Sequence, residues 1–299
     1  MKTLLFIFNS RAGKGTIRSR LAGILDAFVA EGWLPTCCPT RSRADATRLA
    51  RELGPSYDRV VCSGGDGTLH EVIEGLMGVP EDQRPPIGYI PAGTTNDFAR
   101  NLNLPRGMEK MAHLAVTGDP CYVDIGRLND AYFIYVTAFG AFTDVSYSTP
   151  QEVKNTLGHL AYLLQGATEI GNLQSHNMTV EYDGGQVSGE FIFGMVTNTV
   201  SVAGLLDLTP QKVVLDDGIL EALLVKTPQN PVEANAAVMA LATGNFSDPS
   251  TGLIFLRSSQ FHIKAEKPVP MTVDGEFGGN HTDCVIAAVN RPVRIVCGK

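Results

Sequence analysis

Short apolar runs alternate with stretches of helical periodicity through the first hundred residues of the chain. The apolar runs cover residues 4–8, 59–62 and 87–90, and the helical stretches that follow them cover residues 17–31, 69–78 and 96–102. A chain that alternates strand and helix in this way folds into a parallel sheet with helices on both faces. The pattern therefore predicts an α/β domain in the amino-terminal half.

The pattern changes after about residue 122. From there turn residues such as Asp183-Gly184-Gly185 separate the apolar runs, which cover residues 178–182, 190–197, 218–226, 260–265 and 283–288. Apolar runs on either side of a glycine-containing turn are typical of β-hairpins. Because a chain of 299 residues is long enough for two domains, we expect a second domain that is mostly antiparallel β.

Two helical stretches interrupt the strands of the second half, at residues 151–170 and 231–243. In the first, apolar side chains recur at helical spacing and make one stripe, at Val153, Leu157, Leu160, Leu164 and Ala167. Packing of this stripe in the core is the favoured interpretation, and a lipid-facing flap is the alternative.

Charge is divided unevenly along the chain. The total is 24 − 31 = −7, and residues 126–299 carry the whole acidic excess, with 10 basic against 17 acidic side chains. The cluster of Arg11, Lys14, Arg18 and Arg20 suits a polyanion such as nucleotide phosphate or an anionic membrane, although a solvated helix face is the commoner explanation. The acidic balance, without interleaved aromatic residues, disfavours nucleic acid as a partner.

Apolar segments of the chain are short. None approaches the roughly 18 residues that a membrane-spanning helix needs, and the run at residues 4–8 is shorter than the ~7 to 15 residues of a signal-peptide core. The six cysteines form no CxxC pair, and several lie in apolar, strand-like runs. We therefore expect a cytoplasmic protein with reduced thiols.

A glycine turn, Gly64-Gly65-Asp66-Gly67-Thr68, joins an apolar run to a helical stretch. Glycine lets the backbone approach a ligand, and the N–H groups and dipole at a helix N-terminus favour phosphate. The carboxylate of Asp66 would repel phosphate unless a divalent cation lay between them. The turn therefore predicts a site for phosphate and a cation, and a tight turn that only needs positive φ is the alternative.

A second glycine turn follows the apolar run at residues 87–90, within the sequence Pro-Ala-Gly-Thr-Thr-Asn-Asp-Phe-Ala-Arg at 91–100. Open α/β sheets bind ligands at the carboxyl ends of their strands, so we expect Asn96 and Asp97 beside such a site. Capping of the next helix by Asn96 or Asp97 is the alternative.

The spacing of the glycines excludes two familiar phosphate-binding signatures. The first glycine of a Walker A motif around Gly13 and Lys14 would stand at Phe8. A dinucleotide fingerprint that starts at Gly65 reaches His70 in place of its last glycine. The chain is therefore expected to be neither a P-loop NTPase nor an ordinary NAD dehydrogenase.

Six motifs occur in the order in which one kinase family carries them. They are Asn9-Ser10, residues 64–72, residues 91–100, Val123-Asp124-Ile125-Gly126, Leu215-Asp216-Asp217-Gly218 and Val273-Asp274-Gly275-Glu276. With them the chain resembles, over nearly its whole length, the diacylglycerol kinase catalytic family, above all the soluble bacterial diacylglycerol kinases and their lipid kinase relatives. The Gly-Gly-Asp-Gly-Thr element is shared with NAD kinases, phosphofructokinases and sphingosine kinases, whereas the motif at 91–100 points to the lipid branch.

The resemblance implies a two-domain fold like that of NAD kinases and diacylglycerol kinases, with ATP in the cleft between the domains. Residues 1–125, with the chain's return at about 289–299, would form the α/β nucleotide-binding domain, and residues 126–288 the β-rich lipid-substrate domain. The implied ATP contacts are Asn9, Ser10, Arg11, Ala12, Gly13, Thr40, Gly64, Gly65, Asp66, Gly67, Thr68, Leu69, His70 and Thr94. Two departures, His70 in place of Asn and Ala44 in place of Gly, affect the detailed contacts more than the reaction class.

Magnesium (Mg²⁺) is the cofactor that the resemblance implies besides ATP. The network that holds the catalytic ion through water would consist of Asp66, Asp97 and Asp124. A second, structural ion would be bound by Asp217 and by main-chain oxygens near Val214 and Ile219, and these are ligands that a hard cation takes. Without the resemblance, Asp217-Gly218 is equally well interpreted as a turn before a strand.

The acceptor hydroxyl must lose its proton as it attacks the γ-phosphate, and the resemblance implies Glu276 as the base. Asp66 is the alternative, because the matching carboxylate is usually given that task in the sphingosine kinase branch. We favour Glu276, since a magnesium-bound water is expected to occupy Asp66.

The resemblance, added to these patterns, implies ATP-dependent phosphorylation of a lipid hydroxyl, with diacylglycerol converted to phosphatidic acid. The enzyme would be cytoplasmic and would contact the membrane surface peripherally to reach its lipid substrate. The alternatives are a kinase of another lipid alcohol, a kinase of a soluble acceptor such as NAD, and a nucleotide-binding regulator without turnover. Assembly into a homodimer is left open by the sequence.

Overall fold

The computed structural model describes residues 1–94, 96–140, 174–199, 201–202, 206–207 and 213–298. The helix expected at residues 151–170 lies outside this part of the chain. The chain forms two compact units, one of Met1–Asp124 with Asn290–Lys299 and the other of Ile125–Val289. The first unit is therefore discontinuous in sequence.

Strands and helices alternate along the first unit. They are β1 (Lys2–Phe8), α1 (Thr16–Ala30), β2 (Trp33–Pro39), α2 (Asp45–Leu53), β3 (Arg59–Gly64), α3 (Asp66–Met77), β4 (Ile87–Pro91) and α4 (Met108–Thr117), with 3₁₀ turns at Gly54–Ser56, Glu81–Gln83 and Phe98–Leu102. β5 (Pro120–Leu128) begins in this unit.

The sheet of the first unit has the strand order β2-β1-β3-β4. Its strands pair in parallel, so that Phe6 of β1 lies between Cys37 of β2 and Val61 of β3, and Cys62 of β3 lies beside Tyr89 of β4. Parallel strands all end at one edge of a sheet. Since β1 lies between β2 and β3, the chain leaves β1 for one neighbour and later returns to its other side, which is the arrangement that opens a ligand crevice.

Apolar residues bury both faces of this sheet. The side chains of Leu4, Leu5, Phe6 and Ile7 have no exposed surface, as expected for a central parallel strand covered by helices on both sides. Leu4 and Phe6 belong to the same buried cluster as residues of α1 and α4. The continuous apolar run at 4–8 therefore reflects burial on both faces.

Residues 290–298 complete the first unit. Ile295 pairs in parallel with Ile87 of β4, and Gly298 N–H donates to Leu102 O at 2.7 Å. Arg84 donates from Nη1 to Pro292 O at 2.8 Å, and its own carbonyl accepts from Arg294 Nη2 at 3.1 Å. The far end of the chain thus covers the outer side of β4.

The second unit is rich in β-structure, as its turn-separated apolar runs predicted. It contains β6 (Ala131–Phe133), β7 (Val136–Gly140), β8 (His176–Tyr182), β9 (Gly185–Thr197), β10 (Ser201–Val202), β11 (Leu206–Asp207), β12 (Leu220–Lys226), α5 (Pro231–Thr243), β13 (Leu253–Ser258), β14 (Gln260–Val273) and β15 (Glu276–Val296), the last of which ends in the first unit. The order β13-β12-β9-β7-β14-β15 is antiparallel throughout, and β8 pairs with both β9 and β14. Its core includes Phe191, Phe261 and Ile286, which have no exposed surface.

Candidate active site

The residues that follow β1, β2, β3 and β4 lie along one edge of the first unit's sheet. Asn9 N–H donates to Ser63 O at 2.8 Å, and Thr40 N–H donates to Phe8 O at 2.9 Å. Ala92 N–H, after β4, donates to Gly64 O at 2.8 Å. These hydrogen bonds continue the sheet past the ends of its strands. The predicted nucleotide contacts of the first unit therefore lie next to one another along this edge.

Three glycine turns touch one another at this edge. Gly13 has φ +54°, and a Cβ placed there would collide with the carbonyl oxygen of Ala92. A Cβ on Gly93 would lie 2.5 Å from Gly65 Cα. Since any side chain at these positions would push the turns apart, the edge is lined by closely spaced main chain.

Helix α3 begins inside this group of turns. Its N-cap is Gly65, which brings no side chain, and Asp66 is the first helical residue. Main-chain N–H groups and the positive end of a helix dipole are therefore available beside the glycines, as phosphate binding requires. Of the other predicted contacts, Arg11 and Thr94 are exposed and His70 is partly buried in α3.

Asp66 and Asp97 are in contact through a hydrogen bond. Asp97 is the donor in this bond, through its main-chain N–H, and its side chain does not cap the next helix. Asp66 accepts two main-chain hydrogen bonds, from Asp97 N to Oδ2 at 3.0 Å and from Phe98 N to Oδ1 at 3.2 Å. Asp97 itself is only 2% exposed.

Asn96 does not cap the following helix either. Its Oδ1 accepts from Gly93 N, and its Nδ2 donates to Gly93 O, both at 2.9 Å, so the side chain closes the glycine turn. The stretch expected to be helical at 96–102 is a 3₁₀ helix, Phe98–Leu102, whose first amides are held by Asp66. The capping interpretation of both Asn96 and Asp97 was therefore wrong, because the carboxylate of Asp66, from the neighbouring turn, accepts the hydrogen bonds of these amides.

Asp124 is fully buried near the end of the first unit's first segment. Its Oδ1 accepts from Arg291 N at 2.6 Å, which joins β5 to the returning chain. Carboxylates are ligands that Mg²⁺ prefers, so Asp66, Asp97 and Asp124 are chemically suited to the ion. Within the described residues, however, no three His, Cys, Asp or Glu side chains form a group that could hold a metal directly. Coordination through water therefore stays a prediction.

Glu276 follows a two-residue hairpin turn in the second unit. Val273 pairs with Glu276, and the turn between them consists of Asp274 and Gly275, with φ of +48° and +86°. An Asp-Gly pair with positive φ at both positions fits the right-handed twist of a hairpin. The turn places Glu276 at the exposed start of β15.

Asp274 anchors this turn, a role that the sequence analysis missed. Its Oδ2 accepts from Ile134 N at 2.7 Å, and its Oδ1 accepts from Tyr135 N and Val136 N, each at 3.1 Å. Its own N–H donates to Val136 O at 2.8 Å. The Asp-Gly dipeptide signalled the turn, but nothing in the sequence indicated that its carboxylate reaches residues 134–136.

Asp217, the predicted ligand of a structural ion, forms an ion pair with Arg257. Arg257 Nη2 donates to Asp217 Oδ2 at 2.9 Å, and Ile219 N donates to Asp217 Oδ1 at 3.0 Å. Val214 is exposed. An ion at this turn would therefore compete with a guanidinium already in place.

Arg257 also contacts a buried carboxylate. Its Nε donates to Glu221 Oε1 at 3.2 Å, and Glu221 has no exposed surface. The other oxygen, Oε2, is buried without a hydrogen-bond partner among the described residues. Burial raises the pKa of Glu221 to about 7, and the charge of Arg257 opposes that rise.

The described residues include no helix that is both long enough and apolar enough to cross a membrane. The predicted site residues fall into two sets. Asn9 to Gly13, Thr40, Gly64 to His70, Thr94, Asp97 and Asp124 belong to the first unit, and Val214, Asp217, Ile219 and Glu276 belong to the second.

Comparison with known families gives matches over both units. Residues 3–128 match the diacylglycerol kinase catalytic domain, and residues 139–295 match the YegS C-terminal NAD kinase beta sandwich-like domain. Each half of the chain thus matches a family of the kind that the sequence motifs indicated.

Individual relatives cover nearly the whole chain. It is 34% identical over 281 residues to a diacylglycerol kinase of Bacillus subtilis, covering 93% of this chain and 91% of the relative. It is 33% identical over 283 residues to a diacylglycerol kinase of Staphylococcus carnosus, covering 93% and 90%. A crystal structure described as a diacylglycerol kinase from Bacillus anthracis superposes with a TM-score of 0.80 at 27% identity, covering 99% of this chain and 97% of that one.

Proposed function

Because this chain belongs to the diacylglycerol kinase family, and is therefore a kinase that transfers phosphate to an alcohol, we propose that it phosphorylates diacylglycerol with ATP. The product would be phosphatidic acid. The observation that carries the proposal is the contact of three glycine turns around the N-terminus of α3, together with the Asp66 carboxylate at that N-terminus. The names of the relatives support diacylglycerol as the acceptor.

The nucleotide phosphates are proposed to bind along the glycine-lined edge. Residues 9–13 and 64–70 would hold them, with main-chain N–H groups at Gly13, Gly65 and Gly67 as donors and with Thr40 and Thr94 at the sides. The close approach of Gly13, Gly65 and Gly93 supports this assignment, because it leaves main chain in place of side chains where a phosphate needs donors.

Asp66, Asp97 and Asp124 are proposed to hold magnesium through water. The ion, when bound, neutralises charge on the phosphates during transfer. The task of the protein groups is to keep the carboxylates in place, and the amides of Asp97 and Phe98 do so for Asp66. The amide of Arg291 does the same for Asp124.

Glu276 is proposed to accept the proton of the attacking hydroxyl. Both oxygens of Asp66 accept main-chain hydrogen bonds, and Asp274 fixes the turn that presents Glu276. These contacts favour Glu276 over Asp66 as the base. A base within reach of the hydroxyl typically contributes about 10² to 10⁴ in rate.

A diacylglycerol kinase must reach a substrate that is dissolved in a bilayer. We therefore propose a cytoplasmic enzyme that contacts the membrane surface peripherally. Another lipid alcohol and a soluble acceptor such as NAD are outcomes of the same test, as is nucleotide binding without turnover.

The test offers the purified protein ATP and Mg²⁺ with vesicles of phosphatidylcholine that contain diacylglycerol, and identifies the products by mass spectrometry. Parallel reactions contain ceramide, monoacylglycerol or NAD as the acceptor, and the Asp66→Asn protein serves as the control for contaminating kinases. We expect phosphatidic acid from the parent protein alone. Phosphorylation of NAD but of no lipid, or ATP binding without any product, would overturn the proposal.

A further inference from the structure

Glu71, on the second turn of α3, holds the main chain between β2 and α2. Its Oε1 accepts from Ala44 N at 3.0 Å, and its Oε2 accepts from Ala46 N at 3.1 Å. We call residues 40–46 the β2–α2 segment. One carboxylate thus fixes two amides of this segment, and both of its oxygens are used.

The shape of the β2–α2 segment is not one that its residues adopt by local preference. Ala44 has φ +63°, in the left-handed region that residues other than glycine rarely occupy. Asp45 holds the preceding amides, accepting at Oδ2 from Arg41 N at 2.8 Å and from Ser42 N at 3.1 Å. Glu71 therefore supplies, from another element, the hydrogen bonds that keep Ala44 in this conformation.

The β2–α2 segment starts at the same edge as the glycine turns, because Thr40 N–H donates to Phe8 O. Glu71 lies on the helix whose N-terminus forms one of those turns. Helix α3 thus connects two parts of the edge. Its first residues belong to the glycine turn at residues 64–68, and Glu71, one helical turn later, accepts hydrogen bonds from the segment that contains Thr40. The segment also carries Arg41 and Arg43, whose charges suit a polyphosphate.

We propose that Glu71 is a positioning residue of the nucleoside triphosphate site, acting through the β2–α2 segment. The proposal rests on the proposed function, since it presumes that ATP binds at this edge. Glu71 keeps the segment in the shape that places Thr40 beside the glycine turns. Its loss weakens ATP binding more than it slows the chemical step.

Other contacts keep α2 on α3 when Glu71 is changed. The helices are close at Gly75, where a Cβ would collide with Thr47 O and lie 2.9 Å from Ala50 Cβ. Thr47 Oγ1 also donates to Glu74 Oε2 at 3.0 Å. A variant at Glu71 should therefore release the β2–α2 segment and leave the two helices packed.

The experiment compares Glu71→Gln with Glu74→Gln. Both remove one negative charge from the same helix, and both residues contact α2, but only Glu71 holds the amides of the β2–α2 segment. The glutamine at 74 still accepts from the Thr47 hydroxyl, whereas the glutamine at 71 turns an NH₂ group toward one amide N–H. Calorimetric titration with ATP and Mg²⁺ gives the Kd, and kinetics on diacylglycerol vesicles separate kcat from the KM for ATP.

We expect Glu71→Gln to raise the Kd and KM for ATP at least about fivefold while kcat changes less than about twofold, with Glu74→Gln close to the parent. Glu71→Asp keeps the charge but cannot span both amides, so it should weaken ATP binding as well. Equal ATP affinity of Glu71→Gln and Glu74→Gln would overturn the proposal. Failure of both Glu71 variants to fold would also overturn it, since Glu71 would then be a folding residue.

Amide hydrogen exchange gives a readout that does not depend on nucleotide. Peptides that cover residues 41–46 should exchange faster in Glu71→Gln than in Glu74→Gln, without ATP. If the parent binds no ATP, the proposed function fails, and this comparison still decides whether Glu71 holds the segment. Unchanged exchange in Glu71→Gln would refute the positioning role by itself.

Discussion

Replacement of Asp274 by asparagine should loosen the turn that presents Glu276. Asp274 accepts one main-chain hydrogen bond at Oδ2 and two at Oδ1. Asparagine has one acceptor oxygen, so it keeps at most two of these bonds and points an NH₂ group at the remaining N–H. A hydrogen bond to a charged group contributes about 1.5 to 3 kcal/mol, which is the smallest loss expected here.

This loss should appear in both stability and rate. For a domain the size of the second unit, 1 kcal/mol corresponds to about 2 to 4 °C in Tm, so Asp274→Asn should lower the Tm by about 3 to 12 °C. Misplacement of Glu276 should also lower kcat at least about tenfold, because small shifts of a reacting group are costly. Scanning calorimetry and steady-state kinetics on diacylglycerol vesicles measure the two effects.

Asp183→Asn is the matched control for this prediction. Asp183 also lies at a hairpin turn of the second unit, where its Oδ2 accepts from the amide and hydroxyl of Ser259. It lies far in sequence from Glu276, so its variant should keep the parent kcat. If Asp274→Asn melts no lower than Asp183→Asn and keeps full kcat, the three amide bonds do not hold the turn.

Four further outcomes follow from the contacts described. Glu276→Gln should lower kcat at least about 100-fold with little change in the KM for ATP; retention of most of kcat would move the base role elsewhere. Ala44→Gly should raise the stability to thermal unfolding by about 0.5 to 1 kcal/mol, because glycine adopts φ +63° without strain; a lower Tm would refute this. Burial raises the pKa of Glu221 from 4.5 to about 7. The stabilising contribution of its protonated form is therefore fully present below pH 4.5 and is lost as the pH rises to about 7. Over that range the free energy of unfolding of the parent, measured with urea, should fall relative to that of Glu221→Gln. In ATP-free buffer, Mg²⁺ should raise the Tm of the parent more than that of Asp217→Ala, and equal responses would leave Arg257 as the cation that serves this turn.

Periodicity predicted the β-rich second domain because the tendency of a side chain to be buried depends on the residue itself. A side chain such as Phe261 is apolar wherever its partners lie in sequence, and the alternation of such residues shows in a short window. The glycine turns were found for the same reason, since each signals a local requirement of the main chain. Features of this kind need no knowledge of which elements become neighbours.

Hydrogen-bond partners could not be predicted in this way. Asp274 binds amides 138 to 140 residues away, and Asp124 binds an amide 167 residues away. Nothing local distinguishes a carboxylate that holds a distant segment from one that is solvated. For that reason helix capping by Asp97 stood as an alternative, although Asp66 holds its amide from 31 residues away.

The return of residues 290–298 to the first unit has a consequence for the order of synthesis. A ribosome releases β1 to β4 long before it makes Ile295, the neighbour of Ile87 in β4. Until then the outer edge of β4 has exposed main-chain groups, and Asp124 lacks the amide of Arg291. The part of the molecule that is translated first is therefore completed last, because β4 and Asp124 gain these partners only after residues 290–298 have left the exit tunnel.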